Sequence, residues 1–179
     1  MSIENEYLRI VIDKFKSVKS LGDKTIEQLS EDEIHWTYNS ESNSVAIIVK
    51  HISGNMISRW TDFFTTDGEK GNRNRDEEFT DDIPSKSELI NIWEKGWKVL
   101  IDTLSSLSEQ DLLKNITIRG ENHLVLEAIE RQMSHYSYHV GQIVYIGKLL
   151  KDQDWKTLSI PKGKSEEYLK EMLEKYQGQ

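Results

Sequence analysis

Two histidines four residues apart are the clearest chemical signal in this chain. His135 and His139 lie within residues 132–142 and are two of five histidines in the sequence. In an α-helix, side chains at positions i and i+4 lie one above the other on the same face, so both imidazoles can reach one point in space. The spacing is therefore that of two ligands to one metal ion.

The residues around this pair predict which way it faces. On a helical wheel, the apolar residues fall near the azimuth of the two imidazoles and the charged residues fall opposite. The apolar set is Leu124, Ala128, Ile146, Leu149 and Leu150. The pair therefore interrupts a buried stripe, where an unpartnered polar group costs about 1–3 kcal/mol. A bound metal would satisfy both imidazoles, and separate hydrogen bonds to a neighbouring helix would also do so, so the pair alone leaves both interpretations open.

Length and composition limit the remaining possibilities. With 179 residues, the chain matches one domain over residues 1–179, and it is long enough to bury a substantial core. Its formal net charge of −8 argues against a nucleic-acid binder, which would present a basic surface. We find neither an apolar run of membrane-spanning length nor a signal-peptide pattern, so we expect a cytoplasmic protein without membrane partners.

The sequence contains no cysteine. This removes disulfides, thiolate nucleophiles and cysteine-based zinc sites together. Any metal ligand must therefore be a histidine or a carboxylate. Likewise, any thiol that takes part in chemistry must arrive as a cosubstrate.

Hydrophobic periodicity predicts an all-α fold. Five helices are predicted, over residues 3–21, 45–64, 85–104, 123–151 and 165–176. Gly22 is expected to end the first helix, and Ser85 with Glu88 forms a capping-box pattern at the start of the third. Between the third and fourth helices, residues 116–120 alternate and indicate an extended segment.

A third histidine lies on the second predicted helix. His51 sits beside the apolar stripe, and the neighbouring Ile47 and Ile48 favour an inward tilt. Asn55 and Arg59 follow one and two turns later on the same edge. His35 and His123 have no partner at metal-ligand spacing, so we interpret them as ordinary surface or hydrogen-bonded residues.

Residues 65–84 show no periodicity and form a predicted loop of about twenty residues, a length that is typically functional or disordered. Arg73 and Asp76 are among the charged residues within it. They could order the loop or clamp an anion. A solvated loop of mixed charge is the alternative.

The order of these motifs resembles the DinB-like family, in an uncharacterised Gram-positive branch. The residues that carry the resemblance are His51 within residues 49–56, the His135/His139 pair followed by Gly141 and Gln142, and the segments 59–69 and 159–165. The resemblance spans nearly the whole chain. It implies a four-helix bundle with crossover connections, here with an additional short C-terminal helix, and a homodimer.

The resemblance also implies a divalent metal ion, zinc or nickel, held by His51, His135 and His139. The DinB-like family includes transferases that use low-molecular-weight thiols such as bacillithiol or mycothiol, metal-dependent isomerases and hydrolases, and members without an assigned activity. A fold family fixes a site better than a reaction.

Three imidazoles leave at least one coordination position open, which is typical of a catalytic metal site. We therefore predict a thiol S-transferase or hydrolase that acts on a small electrophile. Asn55, Arg59, Tyr138 and Gln142 are the candidates for contacting the substrate or orienting a ligand. The alternatives are a non-catalytic stress-response module with a structural metal, and a bundle whose buried histidines bind no metal.

Overall fold

A computed structural model describes residues 2–177, which are mostly helical, as the sequence predicts. The five helices are α1 (Ile3–Gln28), α2 (Val45–Trp60), α3 (Lys86–Ser106), α4 (Val125–Lys151) and the short C-terminal α5 (Ser165–Tyr176). An antiparallel hairpin, β1 (Asn115–Ile118) and β2 (Glu121–Leu124), precedes α4. Within the described range, none of the helices is both long and apolar enough to cross a membrane.

Serine residues define where the first three helices begin. In each case the serine hydroxyl accepts a hydrogen bond from the backbone N–H three residues later, contributing about 1 kcal/mol to the helix start. The pairs are Ser2 with Asn5, Ser44 with Ile47, and Ser85 with Glu88. The last pair confirms the predicted beginning of α3.

Three predicted helix boundaries were wrong. Helix α1 continues past Gly22 to Gln28, because Gly22 is a contact point and not a cap: a Cβ atom there would lie 2.5 Å from the Trp93 ring. Helix α2 ends at Trp60, shortly before Asp62 adopts a left-handed φ of 49°. Helix α4 starts two residues later than predicted, because His123 belongs to β2.

Helix α2 is the centre of the fold. Thirteen of its sixteen residues are buried, which is the pattern of a helix enclosed by others on nearly all sides. It packs against α3 and α4, and α1 packs against α4 and α3, so the four long helices form one bundle. Large aromatic side chains fill the interior: Phe15, Trp60, Trp93, Trp97 and Tyr136. A polar residue on α2 is therefore enclosed by protein and must find its partners there.

The turn of the hairpin is hydrogen-bonded to the long loop that links α2 with α3. Arg119 and Gly120 both have positive φ, 56° and 77°, as a two-residue type I′ turn requires. Their backbone N–H groups each donate to the Asp67 carboxylate at 2.8 Å. These two hydrogen bonds connect β1 and β2 to the beginning of the segment that links α2 with α3.

The crossing of α2 and α3 depends on a glycine. A Cβ atom on Gly96 would lie 2.8 Å from the Ser53 Cα atom, closer than two such carbons can approach without a backbone shift. The absent side chain therefore sets how closely the two helices pack.

We predict that Gly96→Ala lowers the free energy of unfolding by up to about 2 kcal/mol, and that it is less stable than the control variant Gly141→Ala by about 1–3 kcal/mol. Alanine favours a helix over glycine by about 1 kcal/mol, but overpacking at a helix crossing costs about 1–3 kcal/mol. Denaturant unfolding measures the difference. The control is Gly141→Ala in α4, where an added Cβ meets nothing within 4 Å and stability should stay equal or rise. Equal stability of Gly96→Ala and Gly141→Ala would contradict the steric account.

Candidate metal centre

Three histidines converge between α2 and α4. One ring nitrogen from each of His51, His135 and His139 lies within 4.8 Å of the other two. The ring centroids are 4.7 to 5.5 Å apart, and the rings meet edge to face. His51 is buried, with 7% of its surface exposed, whereas the other two are half-buried. The structure thus brings together the three residues that the sequence singled out.

The histidine pair lies at the edge of the buried face of α4, and not at its middle as the helical wheel suggested. The buried face is centred on Ile129, Tyr136 and Val140. Leu149, which was predicted to share the buried stripe with the histidines, is 50% exposed. The pair therefore occupies the boundary between core and solvent, where a small molecule can approach it.

A carboxylate that the sequence reasoning missed holds His51. Glu78 lies on a single helical turn, Glu77–Phe79, within the long loop, and its Oε2 atom is 3.0 Å from Nδ1 of His51. Arg73 donates two hydrogen bonds to the same carboxylate, at 2.6 and 2.7 Å. Burial alone would raise the pKa of Glu78, but the hydrogen bonds from His51 and Arg73 outweigh burial and lower it.

An ionised carboxylate only accepts hydrogen bonds. We therefore assign the ring proton of His51 to Nδ1, which leaves the Nε2 lone pair free. This is the usual arrangement by which a carboxylate orients a metal-binding histidine.

Gly54 makes room for this carboxylate. A Cβ atom on Gly54 would lie 2.4 Å from Oε1 of Glu78, so the acid can reach His51 only across a position without a side chain. The glycine is one turn beyond His51 in a helix that is otherwise well formed. An isolated glycine inside a helix usually has a packing or functional reason, and this was the one sequence signal for a group close to His51.

Gln142 orients the second histidine. Its Oε1 atom lies 2.9 Å from Nδ1 of His139, which places the ring proton on Nδ1 and frees Nε2. This is a ligand-orienting contact of the kind predicted for Gln142. His139 therefore carries its ring proton on Nδ1, the same atom as in His51.

Aromatic side chains form the rim of the site. Phe79 stacks on the His51 ring at 5.0 Å, and Tyr138 meets the His139 ring edge-on at 5.0 Å. Both are well exposed, at 47% and 63%. Tyr138 thus lies where a substrate-contacting residue would, and Phe79 is a second rim residue that the sequence did not single out.

The His135 and His139 imidazoles are held in the neutral form. Burial lowers the pKa of His135 to about 4, and the nearby His139 adds to this effect. Burial also lowers the pKa of His139, although the hydrogen bond to Gln142 opposes it. Neutral imidazole is the form that binds metals, so His135 and His139 are ready to bind at neutral pH.

Asn55 lies away from the rim, in a buried hydrogen-bond chain. The Tyr136 hydroxyl donates a hydrogen bond to Oδ1 of Asn55 at 3.0 Å. The same hydroxyl accepts a hydrogen bond from Nε1 of Trp60 at 3.2 Å. Burial raises the pKa of Tyr136, which keeps this hydroxyl protonated. Asn55 is only 6% exposed, so it stabilises the core next to His135.

Arg59 is buried and holds the long loop. It is 4% exposed, and Nη2 lies 3.2 Å from Glu69. Burial lowers the pKa of Arg59, and the Glu69 carboxylate opposes that shift. Glu69 also accepts hydrogen bonds from Arg73 and Arg119, at 3.3 and 2.9 Å. Of the interpretations open for Arg73, the structure places it in the ion pairs that order the loop.

The remaining histidines lie outside the cluster. His35 is 2.7 Å from Asp81 through Nδ1, and that carboxylate also accepts from Ser44 at 2.7 Å. His123, on β2, has Nε2 3.5 Å from Glu121. Both therefore have local partners of the ordinary kind.

The donor set fits a divalent metal ion. Nitrogens around a tetrahedral zinc ion, at 2.0–2.1 Å from the metal, are about 3.4 Å apart. The three histidine nitrogens lie within 4.8 Å of one another, so small rotations of the rings bring them to that spacing. With two of the three rings already oriented by acceptors on Nδ1, the residues present suit such an ion.

We predict that Glu78→Ala lowers the free energy of unfolding by about 3–5 kcal/mol, because it leaves the Arg73 charge buried without its main partner. Gly54→Ala should displace the same carboxylate, so the double variant should be much less destabilised than the sum of the two. Denaturant unfolding gives all three values. The control is Asp82→Ala in the same loop, whose carboxylate is exposed where it pairs with Lys50 and whose loss should change stability far less than the loss of Glu78. Additive effects of Glu78→Ala and Gly54→Ala would contradict the shared contact.

Comparisons with known proteins place the chain in a family. No curated protein matches the sequence. One family model, described as "Protein of unknown function (DUF1572)", matches residues 2–164. The match includes the three histidines, Glu78 and Gln142, and it ends just before α5. Since it covers most of the chain, the protein belongs to the DUF1572 family.

Proposed function

We propose that this protein is a metal-dependent enzyme that binds one divalent ion per chain through His51, His135 and His139. The observation that carries the proposal is the convergence of three imidazole nitrogens within 4.8 Å, at the boundary between core and solvent. The resemblance of the chain to the DinB-like family supports the same ligands. Imidazole ligands suit zinc and nickel, which are the ions we favour.

Catalysis is favoured over a purely structural role by the number of ligands. Structural zinc sites are closed by four protein ligands, whereas the group found among residues 2–177 consists of three histidines. When bound, a divalent ion there supplies Lewis acidity and lowers the pKa of a coordinated water or thiol. Glu78 and Gln142 keep the ring protons of His51 and His139 on Nδ1, and Phe79 and Tyr138 lie against these two rings at the rim.

The reaction we propose is the transfer of a low-molecular-weight thiol to a small electrophile, with hydrolysis of such an electrophile as the second candidate. The thiol must be a cosubstrate because the chain has no cysteine of its own. His135 and His139 are only half-buried, so small molecules can approach the histidines from the rim.

A non-catalytic metal-binding module is the alternative function. It is supported by the way the site ties the fold together, since His51, the His135/His139 pair and Glu78 come from α2, α4 and the long loop. A metal bound by these residues would cross-link α2 and α4. The two functions differ in whether an added thiol reaches the metal.

We predict that replacing His51, His135 or His139 with alanine removes most of the bound metal, whereas His35→Ala and His123→Ala retain it. Each lost imidazole takes away one of three ligands, and the two control histidines are engaged elsewhere. Elemental analysis of the five purified variants measures metal per chain, and circular dichroism checks that each is folded. Full metal content in folded His51→Ala would rule out the three-histidine site.

We predict that a low-molecular-weight thiol added to cobalt- or nickel-loaded protein produces a thiolate-to-metal charge-transfer band. The open coordination position and the absence of cysteine from the chain make the added thiol the source of any such band. Absorption spectroscopy during a thiol titration measures it, and folded His135→Ala serves as the control without the site. An unchanged spectrum at saturating thiol, with metal present, would exclude thiol transfer and leave hydrolysis or the non-catalytic module.

A further inference from the structure

An open groove runs along α4 and begins at the candidate metal centre. It has a volume of about 880 Å³, within the range of about 300–1,000 Å³ that is typical of small-molecule sites. Tyr138 and Gln142 line the end of the groove nearest the histidines. The Gln142 amide lies 2.9 Å from Nδ1 of His139, and the Tyr138 ring lies 5.0 Å from the His139 ring. A molecule at this end of the groove is therefore one side chain away from a candidate metal ligand.

Aromatic rings dominate the lining of the groove. Four of them line it: Trp36, Tyr38, Tyr138 and Tyr145. The three tyrosines are 63% to 76% exposed, so their rings are available to a bound molecule. Aromatic rings pair with other aromatic rings in offset or edge-to-face arrangements. The lining therefore favours a ligand with an aromatic body.

A glycine keeps the floor of the groove open. Gly141 lines the groove on α4, and an added Cβ atom there would meet nothing within 4 Å. The other glycines within the described α-helices differ, because an added Cβ at each would lie under 3.0 Å from another atom: Gly22, Gly54, Gly96 and Gly147. Glycine weakens a helix, and a close approach of the backbone to a ligand is one of its uses. Since Gly141 lacks a protein neighbour that requires it, the open space points to a ligand.

The charge of the lining disfavours an anionic ligand. Of the described residues that line the groove, Glu41 alone carries a charge. An anion bound there would lose hydration without gaining a lysine or arginine as partner, and the Glu41 carboxylate would repel it. The ligand that matches the groove is therefore aromatic and uncharged.

We propose that this groove binds the electrophile of the reaction, and that the electrophile is an uncharged aromatic compound. The inference rests on the proposed thiol transfer, in which the thiol is bound at the histidines. A low-molecular-weight thiol is polar and has little apolar surface to bury, so the groove matches the electrophile better than the thiol. The aromatic body lies along α4, and its end at Gln142 is adjacent to the histidines.

The first test is calorimetric titration of full-length, metal-free protein with 2-naphthalenemethanol, an uncharged aromatic probe. We expect saturable binding, and binding weaker by about tenfold or more for 2-naphthoate, which has the same rings and a carboxylate. No saturable binding of the uncharged probe, or equal affinity for the two probes, would overturn the proposal.

Two matched variants locate the bound probe. Leu149 in the groove and Leu173 on α5 are 50% and 51% exposed, so glutamate at either position leaves the core intact. Leu149→Glu should weaken binding of 2-naphthalenemethanol by about tenfold or more, and Leu173→Glu should leave it within about twofold. Gly141→Leu, which fills the open floor, should weaken it as Leu149→Glu does. Equal effects of the two glutamates would overturn the proposal, and so would tighter binding by Leu173→Glu, which would show that α5 occupies the groove.

Nuclear relaxation of the probe tests whether it lies beside the metal centre. Cobalt(II) is paramagnetic and zinc is not, so protons near the ion relax faster in cobalt-loaded than in zinc-loaded protein. We expect this difference for wild type and its loss in Leu149→Glu. Equal relaxation, with both metals shown to be bound, would place the probe away from the histidines and overturn the proposal. Because the calorimetry requires no metal, a missing thiol band together with probe binding would count against the proposed thiol transfer and not against the groove as a binding site.

Discussion

The buried carboxylate of Glu78 is the contact on which the site and the long loop both depend. It receives hydrogen bonds from Arg73 and lies 3.0 Å from Nδ1 of His51, so one ionised group neutralises a buried guanidinium and orients an imidazole. An isolated ion there would be strongly disfavoured by desolvation. The charge balance thus makes the long loop and the candidate metal centre one structural unit. The hairpin joins this unit through Arg119, which donates a hydrogen bond to Glu69 of the loop.

The fold supplies the rigidity that this unit requires. Because α2 is enclosed on nearly all sides, His51 enters the site from the most deeply buried helix of the bundle, whereas His135 and His139 enter from the edge of α4. A rigid histidine from the core and two accessible ones from the rim combine fixed geometry with access for small molecules. This division between helices is a physical reason to expect catalysis at the site, and not only a metal that connects α2 with α4.

Local patterns in the sequence predicted the helices and the His135/His139 pair well, because helical periodicity and the i, i+4 spacing are local properties. That His51 joins this pair was implied only by the family resemblance. The Ser85 cap is another example. Glu78 was out of reach of such reasoning, since it meets His51 through a loop without periodicity, 27 residues further along the chain. Gly22 was misjudged for the same reason, because its contact with Trp93 is distant in sequence. Arg59 likewise pairs with Glu69, a residue of the long loop that no local pattern connects to it.

The close approach of Glu78 to Gly54 has a consequence for how sequences of this family can vary. Position 54 must remain without a side chain for as long as position 78 holds a glutamate, because a Cβ atom and the carboxylate would occupy the same space. We therefore expect the two positions to change together among relatives. A chain with alanine at the first should carry a shorter residue at the second and orient its helix α2 histidine by another group.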